Sequence, residues 1–405
     1  MECFGEKYLT LVLEINKHFE GYVDSYFGPP SIKEKVENSK KKPICNLKDD
    51  LNELVNLIPE DGKRGKYLEK NLQSIDFTLR MLDGEIFDFY DEIEGIFDIS
   101  PRIMGENEIF QITEPLKELL PPVKDDKNDT DLYSNYMNWV EKFRLSEAEL
   151  IKTFNLTLEE VRKRSQEIFE LVEGENVEIN YVSNQPWKAY NYFLGNARSK
   201  IDVNVDYSYY AFEIPRILAH ETYPGHHLLL QLREQILYKE KGYLDAAVCT
   251  LQSPLNVIAE GSANLAAEII FSDDELYQWM GEFLLPELNM PLSKPDELET
   301  FYQALKTVDK LQIPGLSFSI VTNTAIKYYS GELDKKEAVD YLQEYGLVSR
   351  DTASSTVEMM MMPLFRSYMT IYSEGYLLVK DYVTRDNCEE RFKKLLTKNI
   401  LPSWL

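Results

Sequence analysis

The pair Pro224-Gly225 interrupts the stretch where this chain concentrates its histidines, Ala219-His220-Glu221-Thr222-Tyr223-Pro224-Gly225-His226-His227-Leu228. A regular helix is not expected to run unbroken through it. Proline removes an amide donor and disturbs the preceding turn, and glycine admits backbone conformations closed to other residues. The whole sequence of 405 residues has four histidines, and three of them fall in these ten positions. Neutral imidazole is the commonest metal ligand near neutral pH and suits zinc. Two imidazoles beside a carboxylate are what a hydrolytic metal site needs: a metal to polarise a carbonyl and a glutamate to take a proton from water.

The helical form of that idea, H-E-x-x-H, places its histidines one turn apart. Here the second position is Pro224. His220 and His227 share a helix face but stand about 10 Å apart along an ideal helix. His226 is out of phase with His220 unless the backbone bends. A bulge or kink over Thr222-Gly225 brings His220 and His226 together, and this is the preferred pair, with His227 as the alternative. The histidine left over then supports the site or faces substrate. The plain reading is a histidine-rich helix end that binds nothing.

A catalytic zinc takes three protein ligands and keeps one position open. Val257-Ile258-Ala259-Glu260-Gly261-Ser262-Ala263-Asn264-Leu265-Ala266-Ala267-Glu268 is rich in small residues that let helices pack closely, and Glu260, 34 residues after His226, is the natural third ligand. Its structural alternative is a buried paired or helix-capping acid. Glu268 reads as a supporting or surface acid. Directly upstream of the histidines, residues 190–205 look extended, and their second half alternates as a strand does.

The motif H-E-x-Y-P-G-H-H-L resembles the signature of the DUF885 family of bacterial and archaeal proteins, related in fold to zinc metallopeptidases of the gluzincin type. The resemblance extends to the opening segment Gly21-Tyr22-Val23-Asp24-Ser25-Tyr26-Phe27-Gly28-Pro29-Pro30 and to Leu401-Pro402 near the end. It implies a mainly α (α+β), zincin-like fold, predominantly helical with a small sheet flanking the active-site helix. The upstream strand would bind substrate backbone by strand addition. The family's E-G-x-A motif falls on Glu260, Gly261 and Ala263, with Ser262 where tryptophan is usual. Its C-terminal Tyr-x-x-Gly falls on Tyr372 and Gly375, which implies that the Tyr372 hydroxyl donates to a developing oxyanion. The lead-in to Tyr372 departs from the family pattern after Pro363, so Tyr368 stays its rival, and Arg366 is a weaker candidate for gripping a substrate carboxylate.

Hydrophobic content of 44% and aromatic content of 12% fit a globular protein, and a net charge of −25 disfavours nucleic acid and anionic membranes as partners. The first residues do not read as a signal peptide, and no window reads as membrane-spanning. Cys3, Cys45, Cys249 and Cys388 are scattered, without zinc-finger spacing, so the expectation is a reduced, cytoplasmic protein. Residues 1–405 are read as a single helical unit or two lobes, with residues 190–268 holding strand, histidine helix and glutamate helix.

Helices are predicted over residues 5–27, over 47–97 with Gly84 inside a long segment, from Thr157 to about Leu171, and from Leu228 to about Tyr238. His18 reads as structural. The aspartates of Pro121–Asp131 do not keep a calcium-loop register and read as a solvated loop. Met359–Met362 read as core filler. The function these readings favour is a zinc-dependent peptidase, with His220, His226 and Glu260 on Zn2+, Glu221 as general base and a peptide or small amide-containing substrate. The alternatives are a metal-dependent hydrolase of a non-peptide amide or ester, and a non-catalytic protein with a degenerate site.

Overall fold

Apolar residues recur at helical intervals through most of the chain, and the computed structural model accordingly has 66% of its residues in helices beside a small mixed sheet. It describes residues 4–58, 62–120, 132–185, 187–272, 274–290, 292, 295–312, 316–362 and 365–405. Asp125, Asp126, Asp129, Asp131, Pro291, the Pro314-Gly315 pair and Pro363 lie outside the described residues.

The first helix, Phe4–Asn16, buries Leu9, Leu13 and Ile15 as their spacing predicts, but it stops well short of residue 27. The Asn16 side chain accepts a hydrogen bond from the Val23 amide, Gly21 turns the chain at φ +88°, and Val23–Tyr26 forms strand β1. Its partner comes from far along the chain, Val248–Thr250 (β5), so a long-range pairing overrides the local pattern. The predicted long segment before residue 97 is likewise two helices, Gly62–Leu82 and Phe89–Phe97. Gly84, at φ +94°, lies between them, and the Asp88 carboxylate caps the second. Thr157 is interior rather than a start: one helix spans Glu147–Ile168, opened by a capping box of Ser146 and Glu149. His18 is structural, its Nε2 bonded to the Lys42 carbonyl at 2.7 Å. Of the four methionines, Met360 is fully buried whereas Met361 and Met362 are exposed, so only part of the run fills core.

Residues 190–205 fold as a hairpin, Ala189–Gly195 (β3) and Arg198–Asn204 (β4), and β4 also pairs in parallel with Asn176–Val182 (β2). The sheet order β2-β4-β3 leaves β3 at an edge. The tight turn needs positive φ at Asn196 and Ala197, 53° and 54°. That conformation is unfavourable for alanine. Here Glu234 compensates, accepting from the Asn196 and Ala197 amides at 2.8 and 2.9 Å. Glu234 belongs to the helical segment that continues from His226, so the hairpin tip is clamped to the histidine region.

Two further helices complete the site. Pro254–Ile270, which carries Glu260, is buried along most of its length, and Ile371–Thr384 carries Tyr372. A Cβ on Gly261 would stand 2.2 Å from the Gly375 carbonyl oxygen, and one on Gly375 would stand 2.5 Å from that of Val257. Backbone therefore packs on backbone, which draws the Tyr372 helix onto the Glu260 helix. One large apolar core surrounds these elements, and a second, built mainly from residues 8–79 together with Val248, holds the N-terminal helices.

Candidate metal centre

The first histidine helix runs from Ile214 to Glu221 and ends at Thr222, whose φ of −121° and ψ of −89° are not helical. The Tyr223-Pro224 peptide bond is cis, and a new helix starts at His226. Between them Gly225 packs so tightly that a Cβ there would lie 1.8 Å from the His220 carbonyl oxygen. This fold-back carries His226 to His220. Their Nε2 atoms are 3.1 Å apart and the rings stand nearly perpendicular, at 88°.

Glu260 faces both, with its carboxylate oxygens 3.5 Å from Nε2 of His220 and 3.7 Å from Nε2 of His226. His220, His226 and Glu260 form a group able to hold a metal ion. Burial drives the His220 pKa down to about 4 and takes that of His226 well below its ordinary value, His220 adding to the effect. Both rings are thus neutral near pH 7, with lone pairs to offer, and their contacts with Glu260 are not ion pairs. Glu260 Oε2 is buried without a hydrogen-bond partner among the described residues. Such an orphan is costly in a native interior. Burial, then Glu221 and Asp24, push the Glu260 pKa up to about 8. These residues fit a cation. Tetrahedral ligands about 2.0–2.1 Å from zinc stand about 3.3 Å from one another, close to the separations seen here.

Glu221 is buried beside this group, and its pKa is pushed up to about 8 by burial, then by Asp24, against a hydrogen bond from the Asn191 backbone amide. The Asn191 Nδ2 donates to the Glu221 carbonyl at 2.6 Å, which ties the end of the helix to β3. The two tyrosine candidates both approach. Tyr368 is the one that reaches Glu260, donating to Oε1 at 3.3 Å. Tyr372 is next to it, the two hydroxyls hydrogen-bonded and the rings edge to face; it feels the charges of Glu260 and Glu221 and stacks on Phe318.

His227 points elsewhere. It is fully buried, with Nδ1 2.8 Å from the Ser199 hydroxyl of β4 and Nε2 3.2 Å from Glu175. Glu175 also takes hydrogen bonds from Tyr223 and Arg162. Arg366 is likewise occupied: Nε donates to the buried Glu92 at 2.6 Å and Nη2 to the Phe87 carbonyl at 3.0 Å, which leaves it as a structural ion pair rather than a substrate grip. Glu268 sits two turns past Glu260, bonded to Tyr376 and Lys380, and Ser262 is buried with its hydroxyl unpartnered among the described residues. Arg198 faces solvent.

Sequence reasoning missed two residues here. Asp24 of β1 is hydrogen-bonded by the Tyr190 hydroxyl of β3 and adds negative potential at Glu221 and Glu260. It lies in the opening segment that carried part of the family resemblance, which was the available signal. Asn264, one turn beyond Glu260, hydrogen-bonds the His220 ring and donates to the Tyr372 carbonyl at 3.4 Å. Its i+4 spacing from Glu260 was the only cue.

Comparison with protein-family models gave no match, and comparison with curated proteins gave none. Among solved structures, the chain is similar to a crystal structure described as the "putative lipoprotein" from Colwellia psychrerythraea, with a TM-score of 0.54 at 13% identity, covering 91% of this chain. The chain spans 63% of the length of that protein. At this identity the likeness concerns the fold alone.

Proposed function

We propose that this protein is a zinc-dependent hydrolase acting on peptide bonds. The observation that carries the reading is the convergence of His220, His226 and Glu260, with separations of 3.1, 3.5 and 3.7 Å and an orphaned carboxylate oxygen at its centre. Zinc held there supplies a Lewis acid for a substrate carbonyl and lowers the pKa of water.

The chain's own groups do the rest. Glu221 takes the proton from the attacking water and delivers it to the leaving amine. Its raised pKa keeps that carboxyl near the pH at which it must both accept and release a proton. Tyr368, hydrogen-bonded to Tyr372, presents a hydroxyl to the oxygen that gains charge. Burial raises both tyrosine pKa values, so the hydroxyls stay protonated. Asn264 and the Gly261–Gly375 contact hold the His220 ring and the tyrosine helix in register. Strand β3, at the edge of its sheet and tied to Glu221 through Asn191, suits an extended substrate backbone.

No described helix is long and apolar enough to cross a membrane, and Cys45, Cys249 and Cys388 form no disulfide among the described residues, which favours a reducing, cytoplasmic setting in this reading. The test is metal analysis with a peptide-library digest. One zinc per chain and cut peptides support the proposal; a metal-replete protein that binds no zinc contradicts it, and zinc without peptide cleavage moves the substrate to another amide or an ester.

A further inference from the structure

Strand β3 has a neighbour in its sheet on one side only, yet its other edge is not open along its whole length. Residues 24–27 wrap it. The Tyr190 hydroxyl donates to Asp24, and Phe193 meets Phe27 with ring centroids 5.4 Å apart. Residues three apart on a strand point to opposite faces, so contacts at both positions cover the edge between them. Phe27 also closes on Gly195, where a Cβ would stand 3.3 Å from that of Phe27. Pairing with β5 on the far side fixes β1 in place. An extended chain laid along β3 therefore runs into this segment and has to end there.

The side chain at that stop is acidic. Asp24 acts on both Glu221 and Glu260, so it lies within electrostatic reach of the His220 group. The groups that act on these three carboxyls are other carboxyls of the set, the Tyr190 and Tyr368 hydroxyls and the Asn191 amide, and none is a lysine or arginine. Ionised, the three carry three negative charges. A divalent ion held by the two neutral histidines and Glu260 cancels two of them and leaves one over. Asn191, tied to Glu221, is 9% exposed and keeps its buried Oδ1 without a partner among the described residues, an idle acceptor at the same end of the cleft. Asp24 is partly exposed and lines a groove of about 390 Å³ between β1, β3 and the helices Phe4–Asn16 and Pro30–Glu37. The two lysines of that groove are engaged, Lys17 with Ser39 at 2.8 Å and Lys33 with Glu37 at 3.9 Å. A surplus negative charge at the closed end of a peptide cleft suits an ammonium group.

We propose that the substrate ends at Asp24 with its free α-ammonium, so that this chain is an aminopeptidase releasing the first residue of a peptide. The proposal rests on the hydrolase reading above. Water adds across the first peptide bond: the carbonyl carbon gains the oxygen, the leaving amine gains the proton, and Asp24 holds the ammonium without entering the exchange.

The test compares free with N-acetylated peptides on the full chain loaded with zinc. The free library should be shortened from its amino end, and the same library acetylated at its amino termini should be cut more slowly by about 10-fold or more. Asp24→Asn keeps an oxygen for the Tyr190 hydroxyl and removes the charge. It should hold zinc as the wild type does and raise KM for free peptides by about 10- to 100-fold, with kcat less affected. Binding gives a readout apart from turnover. L-Leucinol, an amine with no peptide bond, should bind the wild type more tightly than N-acetyl-L-leucinol in calorimetric titrations, by about 10-fold or more, and Asp24→Asn should erase that preference. Acetylated peptides cut as fast as free ones, cuts confined to the interior or the carboxyl end, or two leucinols that bind alike overturn the proposal and leave the hydrolase reading standing. A metal-replete protein without zinc contradicts the hydrolase reading and this proposal with it. If zinc is bound and neither library is cut, the leucinol comparison decides. The acetylation and leucinol comparisons need no variant, so the proposal stays testable if Asp24→Asn does not fold.

Discussion

His220 and His226 are six residues apart in the chain, yet their Nε2 atoms stand 3.1 Å apart, because the backbone folds back at Gly225 onto the His220 carbonyl. An unbroken helix would hold them about 9 Å apart along its axis. Residue 225 has to be glycine for lack of space, because a Cβ there would lie 1.8 Å from the His220 carbonyl oxygen. Gly225→Ala is therefore expected to separate the histidines, with loss of bound metal and destabilisation of about 3 kcal/mol or more. Metal analysis and thermal unfolding check this; an alanine variant with full zinc would refute the fold-back as the device that forms the pair.

The ligand set gives a second prediction. Alanine at His220, His226 or Glu260 should sharply reduce bound zinc. His227→Ala should keep zinc but lose about 2–4 kcal/mol of stability, because Glu175 would lose a partner in a buried network. Zinc retained by His226→Ala and lost by His227→Ala would exchange their roles.

These two cases show what the sequence carried. The histidine cluster, the bend it requires and Glu260 were legible because they rest on rare residue types at short spacing. The long-range pairing of β1 with β5 was not, since nothing near Val23 announces a partner at Val248. The parallel pairing of β2 with β4 was hidden for the same reason. Arg366 looked available because a sequence does not show that Glu92 is waiting for it. Glu260 and Tyr368, 108 positions apart, meet only because Gly261 and Gly375 let two helix backbones touch.

The tyrosines separate by geometry. Tyr368 donates directly to Glu260, whereas the Tyr372 hydroxyl meets that of Tyr368. Tyr368→Phe should lower kcat by about 100-fold with little change in KM, as for a lost oxyanion donor. Tyr372→Phe should cost less, about 10-fold, because it acts through Tyr368. Steady-state kinetics decide between them, and a larger loss for Tyr372→Phe would reverse the assignment.

Glu374, a buried acid one turn into the Tyr372 helix, predicts a pH dependence of stability. Burial raises its pKa from 4.5 to about 7, against the Arg102 amide, which donates to it at 3.3 Å. Because the folded value is the higher one, its contribution is fully present below pH 4.5 and is lost as pH rises through about 7. Glu374→Gln should leave stability unchanged at the acid end and raise it by about 3 kcal/mol at pH 8. Denaturant titrations at the two pH values test this, and an equal effect at both would contradict it.

The catalytic reading rests most directly on Glu221. Glu221→Gln keeps the side chain's size and removes the oxygen that takes the proton, so the variant should fold, bind zinc as the wild type does and lose turnover by about 100-fold or more. The decisive measurement is a peptide-library digest with zinc-loaded wild type beside zinc-loaded Glu221→Gln, with the products read by mass spectrometry. The predicted result is a set of wild-type cuts that disappears in the variant while its zinc content is unchanged. Cuts that persist at the wild-type rate in the variant would contradict the account.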